Sequence, residues 1–122
     1  MPLEHANLTG AIIGAAITVH SELGPGFLES IYEEAMAIEL RRQSIPFERQ
    51  REVQLLYRST PVGTHRLDLF VDRKIVVELK SVQSLADAHF SVVTSYLRSV
   101  ACQHGLLLNF AKPTLKVRRV HA

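Results

Sequence analysis

The sequence predicts an α/β protein in which a mixed central sheet is flanked by helices, with elements in the order ααβββαββ. Three observations carry that reading. Apolar residues recur every three or four positions up to Gln43 and again from Ala86. Between Phe47 and Ser81 the period shortens to that of strands. After the third helical stretch, "GLLLNF" is almost entirely apolar, as a buried strand should be. The 122 residues, 47% of them hydrophobic, suffice for a real core, and residues 1–122 are read as one domain.

The elements follow in chain order. Asn7–Leu23 is a helix with Leu8, Ile12, Ala15, Ala16, Val19 and Leu23 as its stripe; Ile13 and Ile17 widen that stripe, so cover is expected on more than one side. "GPG" at Gly24–Gly26 ends it, because glycine suits a helix C-cap and proline cannot continue the ladder. A second helix is expected over Phe27–Gln43, with Leu28, Ile31, Ala35 and Ile38 facing the core, until "SIP" breaks it. Phe47–Tyr57 reads as a strand, "RSTPVG" as a turn, Val62–Val71 and Ile75–Ser81 as two further strands joined through Asp72, Arg73 and Lys74. Ala86–Ala101 is a third helix, with Ala88, Val92, Val93, Tyr96, Leu97 and Val100 aligned. Gly105–Phe110 and Leu115–Val120 complete the sheet, the last at an edge because it is rich in Lys and Arg.

Composition narrows the function classes. A net charge of +2 and a pI near 8.9 are compatible with a polyanionic partner without demanding one. The lone Cys102 has no intramolecular disulfide partner, which fits a reducing cytosol and a small core residue. The longest apolar run near the start, "AIIGAAITV", is too short to span a bilayer, and no basic leader precedes it. A cytoplasmic protein with no membrane partner is expected. His20, His65, His89 and His104 lack zinc-ligand spacing. "GPG" lacks the Lys and Ser/Thr of a phosphate loop.

The chemistry is in "LDLFVDRKIVVELK". Side chains alternate across a strand. Parity therefore puts Asp68, Glu78 and Lys80 on the sheet face opposite Leu67, Leu69, Val77 and Leu79. Two neighbouring carboxylates in apolar strands repel and pay desolvation unless something compensates. A hard cation does so, since Mg²⁺ takes one or two carboxylates together with water and phosphate oxygens. Lys80 points the same way as Glu78 and can hold a water or a phosphate oxygen. The bland alternative is a solvated polar face.

Asp68 followed by Glu78-x-Lys80 on adjacent strands resembles the PD-(D/E)XK nuclease superfamily. Upstream, "GFLESIY" gives Gly26-x-x-Glu29-x-x-Tyr32, similar to the hallmark of the GxxExxY proteins, a small bacterial family of that superfamily. "IPFERQ", "RLDLFVD", "IVVELKSV", "SYLRS" and "GLLLNF" resemble its other blocks, in its order. The resemblance implies a restriction-endonuclease-like core. It also implies Asp68 and Glu78 as ligands of Mg²⁺ or Mn²⁺, with the backbone carbonyl of Leu79 as a third, and Lys80 and Glu29 as catalytic groups. Tyr32, His89 and Tyr96 are candidates to frame the pocket; for Tyr32 the alternative is packing between helix and sheet. The chain departs from the resemblance at Val92, where relatives often carry Gln.

The implied activity is hydrolysis of nucleic-acid phosphodiester bonds, with DNA as the expected partner. The alternative is a catalytically inactive nuclease-like fold acting as a nucleic-acid or protein-binding module. Basic residues at Arg41, Arg42, Arg49, Arg51, Lys112, Lys116, Arg118 and Arg119 could contact phosphates. The sequence leaves a homo-oligomer open.

Overall fold

A computed structural model describes residues 5–122; the first four residues of the expected domain lie outside the described residues. Helix α1 (Ala6–Leu23) buries Ile12, Ala15, Ala16, Val19 and His20. Its cover is one-sided: Ile17 is 52% exposed, contrary to the expectation of a doubly covered helix. Gly24 and Gly26 turn the chain with φ of 74° and 101°, a region that L side chains disfavour.

Helix α2 (Glu29–Arg42) starts two residues later than expected, and its buried face differs. Tyr32, Met36 and Leu40 point inward with Glu33 and Ala37, whereas Leu28 is 73% exposed and Ile38 56% exposed. Leu28 is extended at the N-cap, so it cannot extend a helical stripe. Two stripes of similar periodicity compete on this helix. The winning one contains a glutamate that finds partners, described below.

Strands β1 (Phe47–Tyr57), β2 (Thr60–Val71), β3 (Ile75–Lys80), β4 (His104–Asn109) and β5 (Lys116–His121) form one sheet in chain order. Only β3 and β4 pair in parallel, joined through helix α3 (Asp87–Ser99); the other neighbours are antiparallel. The β1–β2 turn is tighter than "RSTPVG" suggests. Arg58 and Ser59 alone make it, both with positive φ, and Thr60–Val62 are already strand. β5 lies at an edge, as its charge predicts.

Two apolar layers hold the sheet. On one face Ile75, Val77, Leu79, Leu106, Leu108 and Phe110 pack against Ile12, Ala16, Tyr32 and Met36. On the other, Val76 and Leu107 pack with Val93, Tyr96 and Leu97 of α3. Ala88 and Val92 turn outward, so the expected α3 stripe is narrower, with Phe90 and Val100 at its margins. Cys102 is a free thiol that joins this second layer from its edge. Among the described residues no helix is long and apolar enough to cross a membrane.

Candidate active site

The ladder between β2 and β3 ends one step too early. Val71 pairs with Ile75, Phe70 with Val76 and Leu69 with Val77, and there it stops. At the next step side chains replace backbone. Glu78 Oε1 accepts the backbone N–H of Asp68 at 3.1 Å, and Asp68 Oδ2 accepts that of Leu79 at 2.9 Å. The two strands separate around this pair. Gln50, which falls opposite Asp68 on β1, takes a φ of 51°, outside the extended region. Beyond this bend the β1–β2 arm curls towards α3. Leu67 and Val53 therefore join the α3-side layer, while Leu69 stays on the other. That corrects the simple parity that placed Leu67 and Leu69 together. The site is a notch where β2 leaves β3, open to groups from both sheet faces.

Electrostatics follow from that burial. Glu78 is 5% exposed, and its carboxyl is pushed up to about 8, first by desolvation and then by the charge of Asp68. Asp68 is also raised, chiefly by desolvation, against the pull of the Leu79 N–H. Lys80 acts on Asp68, Glu78 and Glu29 alike, favouring the ionised form of each. Glu29 is raised mainly by its own burial and next feels Lys80, then Asp68 and His89. The field of the site thus links all four residues expected from the sequence.

The motif residues around the start of α2 have separable jobs. Gly26 supplies the left-handed turn. Glu29 opens the helix and lines a cleft of about 680 Å³ with Gly26, Phe27, Ser81 and Gln83. Tyr32 takes the packing alternative. It is fully buried and stacked on Phe110 at 4.3 Å, and its hydroxyl donates to the Gly24 carbonyl at 2.7 Å while accepting the Phe27 N–H at 3.2 Å. It ties the turn that presents Glu29.

His89 accepts the Ala86 N–H on Nδ1 at 2.9 Å, closing the first turn of α3 as a neutral ring; its effect in lowering Glu29 belongs to the protonated ring, which cannot accept that bond. Tyr96 is 6% exposed; its hydroxyl lies 3.0 Å from His65 Nδ1 and is pushed up to about 12 by desolvation and then by Glu78 and Asp68.

Sequence reasoning missed Glu33 and Gln50. Gln50 Nε2 donates to Glu33 Oε1 at 2.5 Å and lies 3.4 Å from Asp68 Oδ1. Glu33, 7% exposed, also accepts two bonds from Arg49, at 3.0 and 2.9 Å. Its charge raises Asp68 further. The available signal was the four-residue spacing of Glu29 and Glu33, which puts both on one helix face. A glutamine does stand beside Asp68, but it comes from β1 and not from the Val92 position, which is exposed on α3.

The model of the PD-(D/E)XK nuclease superfamily matches residues 6–120. The chain belongs to this superfamily. Among solved structures, the crystal structure of SSO0001 superposes with a TM-score of 0.60 at 14% identity, covering 97% of this chain and 59% of that one; the likeness is of fold. The chain thus spans about three fifths of that protein. No curated protein matches the sequence significantly.

PD-(D/E)XK nucleases generally use divalent metal ions. The donor set here suits one. No three His, Cys, Asp or Glu side chains gather to hold an ion by themselves among the described residues. Two carboxyls raised chiefly by desolvation are the complement Mg²⁺ takes when water and substrate oxygens fill the rest.

Proposed function

We propose that this PD-(D/E)XK protein is a Mg²⁺- or Mn²⁺-dependent nuclease that hydrolyses phosphodiester bonds of nucleic acid, with DNA as substrate. The observation that supports this most is the reciprocal Asp68–Glu78 pair in the notch, with Lys80 and Glu29 in its field. Asp68 and Glu78 would hold the ion, with the Leu79 carbonyl as a further donor. When bound, such an ion makes a coordinated water acidic and offsets charge on the phosphate.

The chain's own groups do the rest. The Lys80 ammonium can only donate, so it fixes the attacking water or a non-bridging phosphate oxygen in line. Glu29 has a raised carboxyl and lies in the field of Lys80, a setting in which it can accept the proton that water gives up. Water oxygen bonds to phosphorus, the phosphorus–oxygen bond to the leaving sugar breaks, and that oxygen takes a proton from a solvent water while Glu29 releases the one it accepted back to solvent. Gln50 and Glu33 orient Asp68. We read the motif-bearing chain as a member of the GxxExxY branch, working in the cytoplasm as one nuclease-like domain.

The test is cleavage of single- and double-stranded DNA and RNA with Mg²⁺ or Mn²⁺, with Glu78→Ala as control. Metal-dependent cleavage lost in the variant supports the reading. Cleavage equal in wild type and variant, or none with either metal, transfers the assignment to a binding module.

A further inference from the structure

We propose that a second pocket, beside the notch on the α3 face of the sheet, binds the nucleotide flanking the scissile phosphate, and that it selects single-stranded nucleic acid. This rests on the nucleic-acid reading above. The pocket has about 340 Å³, enough for one nucleotide, and Lys112, Lys116 and Arg118 stand around an apolar floor of Leu85 and Phe90.

Register places it relative to the notch. Lys80 pairs with Asn109, and Asn109 with Lys116. Glu78 pairs with Leu107, and Leu107 with Arg118. Directly paired residues share a face, so Lys116 and Arg118 lie on the same side as Glu78 and Lys80, two strand spacings or about 10 Å away. Gln83 lines both this pocket and the Glu29 cleft, so the two openings adjoin.

Charge pairing separates these cations from the paired arginines of α2, β1 and β2. Arg49 is committed to Glu33 and Glu34, Arg51 to Glu48, Arg42 to Glu39 and Arg66 to Glu52. Lys112, Lys116 and Arg118 form no ion pair with a carboxylate among the described residues, and no acid lines their pocket. An unneutralised trio of cations fits phosphates.

The walls are fixed in advance. The buried Asn109 side chain donates to the Val82 carbonyl at 2.9 Å and accepts the Val82 N–H at 3.1 Å. Lys112 Nζ donates to Gln83 Oε1 at 2.7 Å, and the Lys112 carbonyl lies 2.8 Å from His20 Nε2. A base reaches Leu85 and Phe90 only when it is unstacked from its neighbours, which a single strand allows and a duplex resists.

Binding of short fluorescent single-stranded DNA and of the matching duplex would be measured by anisotropy in EDTA, so that cleavage does not enter. Lys116→Ala/Arg118→Ala should weaken the single strand about tenfold or more and reduce the salt slope by about 1.4, at about 0.7 per phosphate contact. Phe90→Leu, which keeps apolar bulk without a π-face, should weaken the single strand several-fold and leave the duplex unchanged. Arg119→Ala, one residue along β5 and on the opposite face, should change neither. Wild-type binding with an unaltered double variant, an equal loss from Arg119→Ala, or an equal effect of Phe90→Leu on duplex would overturn the pocket alone. No binding by the wild type would overturn the nucleic-acid reading and the pocket with it.

Discussion

Asp68 and Glu78 hold each other's strands: Glu78 Oε1 takes the Asp68 N–H at 3.1 Å, and Asp68 Oδ2 takes the Leu79 N–H at 2.9 Å. The pair substitutes for a rung of the sheet and brings two buried carboxyls together there. Its protons should therefore be visible in folding. Glu78 keeps its proton in the folded state up to about pH 8, against an ordinary value of 4.5. Between those values the folded state binds more protons than the unfolded one, so stability is full below 4.5 and falls as pH rises through 8, by up to about 1.4 kcal/mol per unit. Glu78→Gln should flatten that slope. Urea unfolding across this window checks it, and stability that rises with pH would contradict it.

Arg49 compensates a buried carboxylate. With Arg49→Ala, Glu33 keeps only Gln50, and stability should fall by about 3 kcal/mol. Adding Glu33→Gln should recover part of that loss, because the orphaned charge is then gone. A double-mutant cycle by urea denaturation measures the coupling; additive losses would show that the two side chains do not depend on each other.

Tyr32 should matter through its hydroxyl. Tyr32→Phe keeps the stack on Phe110 but frees the Gly24 carbonyl and the Phe27 N–H. A loss of about 1–2 kcal/mol is expected, with a drop in cleavage larger than the stability change explains, since Glu29 follows that turn. Unchanged stability and rate would show that the turn holds without it.

Helix α3 approaches β4 closely at Gly105. A Cβ there would lie 2.9 Å from Val93 Cγ1 and 3.3 Å from the Val76 carbonyl oxygen. Gly105→Ala should cost about 1–3 kcal/mol, and Val93→Ala in the same chain should recover part of it. Thermal unfolding decides; Gly105→Ala as stable as wild type would mean that α3 shifts freely.

The order of elements was legible because each half of the chain has its own period and because Gly24–Gly26 and Pro46 punctuate it. Asp68, Glu78 and Lys80 were legible as polar residues in strands too apolar to face water. The α2 face was not. Leu28–Ile31–Ala35–Ile38 and Tyr32–Met36–Leu40 are both helical stripes, and the buried one includes Glu33, whose compensation by Arg49 and Gln50 comes from another element. Local periodicity cannot register such a partner. For the same reason the bend at Gln50, which sends Leu67 and Leu69 to different faces, was hidden: it depends on side chains taking over a rung of the ladder.

The central claim is that Asp68 and Glu78 form a divalent-cation site, and melting temperature in EDTA, Mg²⁺ and Mn²⁺ tests it most directly. At ten times Kd, metal should stabilise the wild type by about 1.4 kcal/mol, a rise of about 4–6 °C. Asp68→Asn and Glu78→Gln should melt as high as or higher than the wild type in EDTA, because a carboxyl that burial makes costly to ionise is replaced by a neutral amide, and should lose most of the metal-dependent rise. A wild type whose melting temperature ignores both metals, or variants that keep the full rise, would contradict the claim.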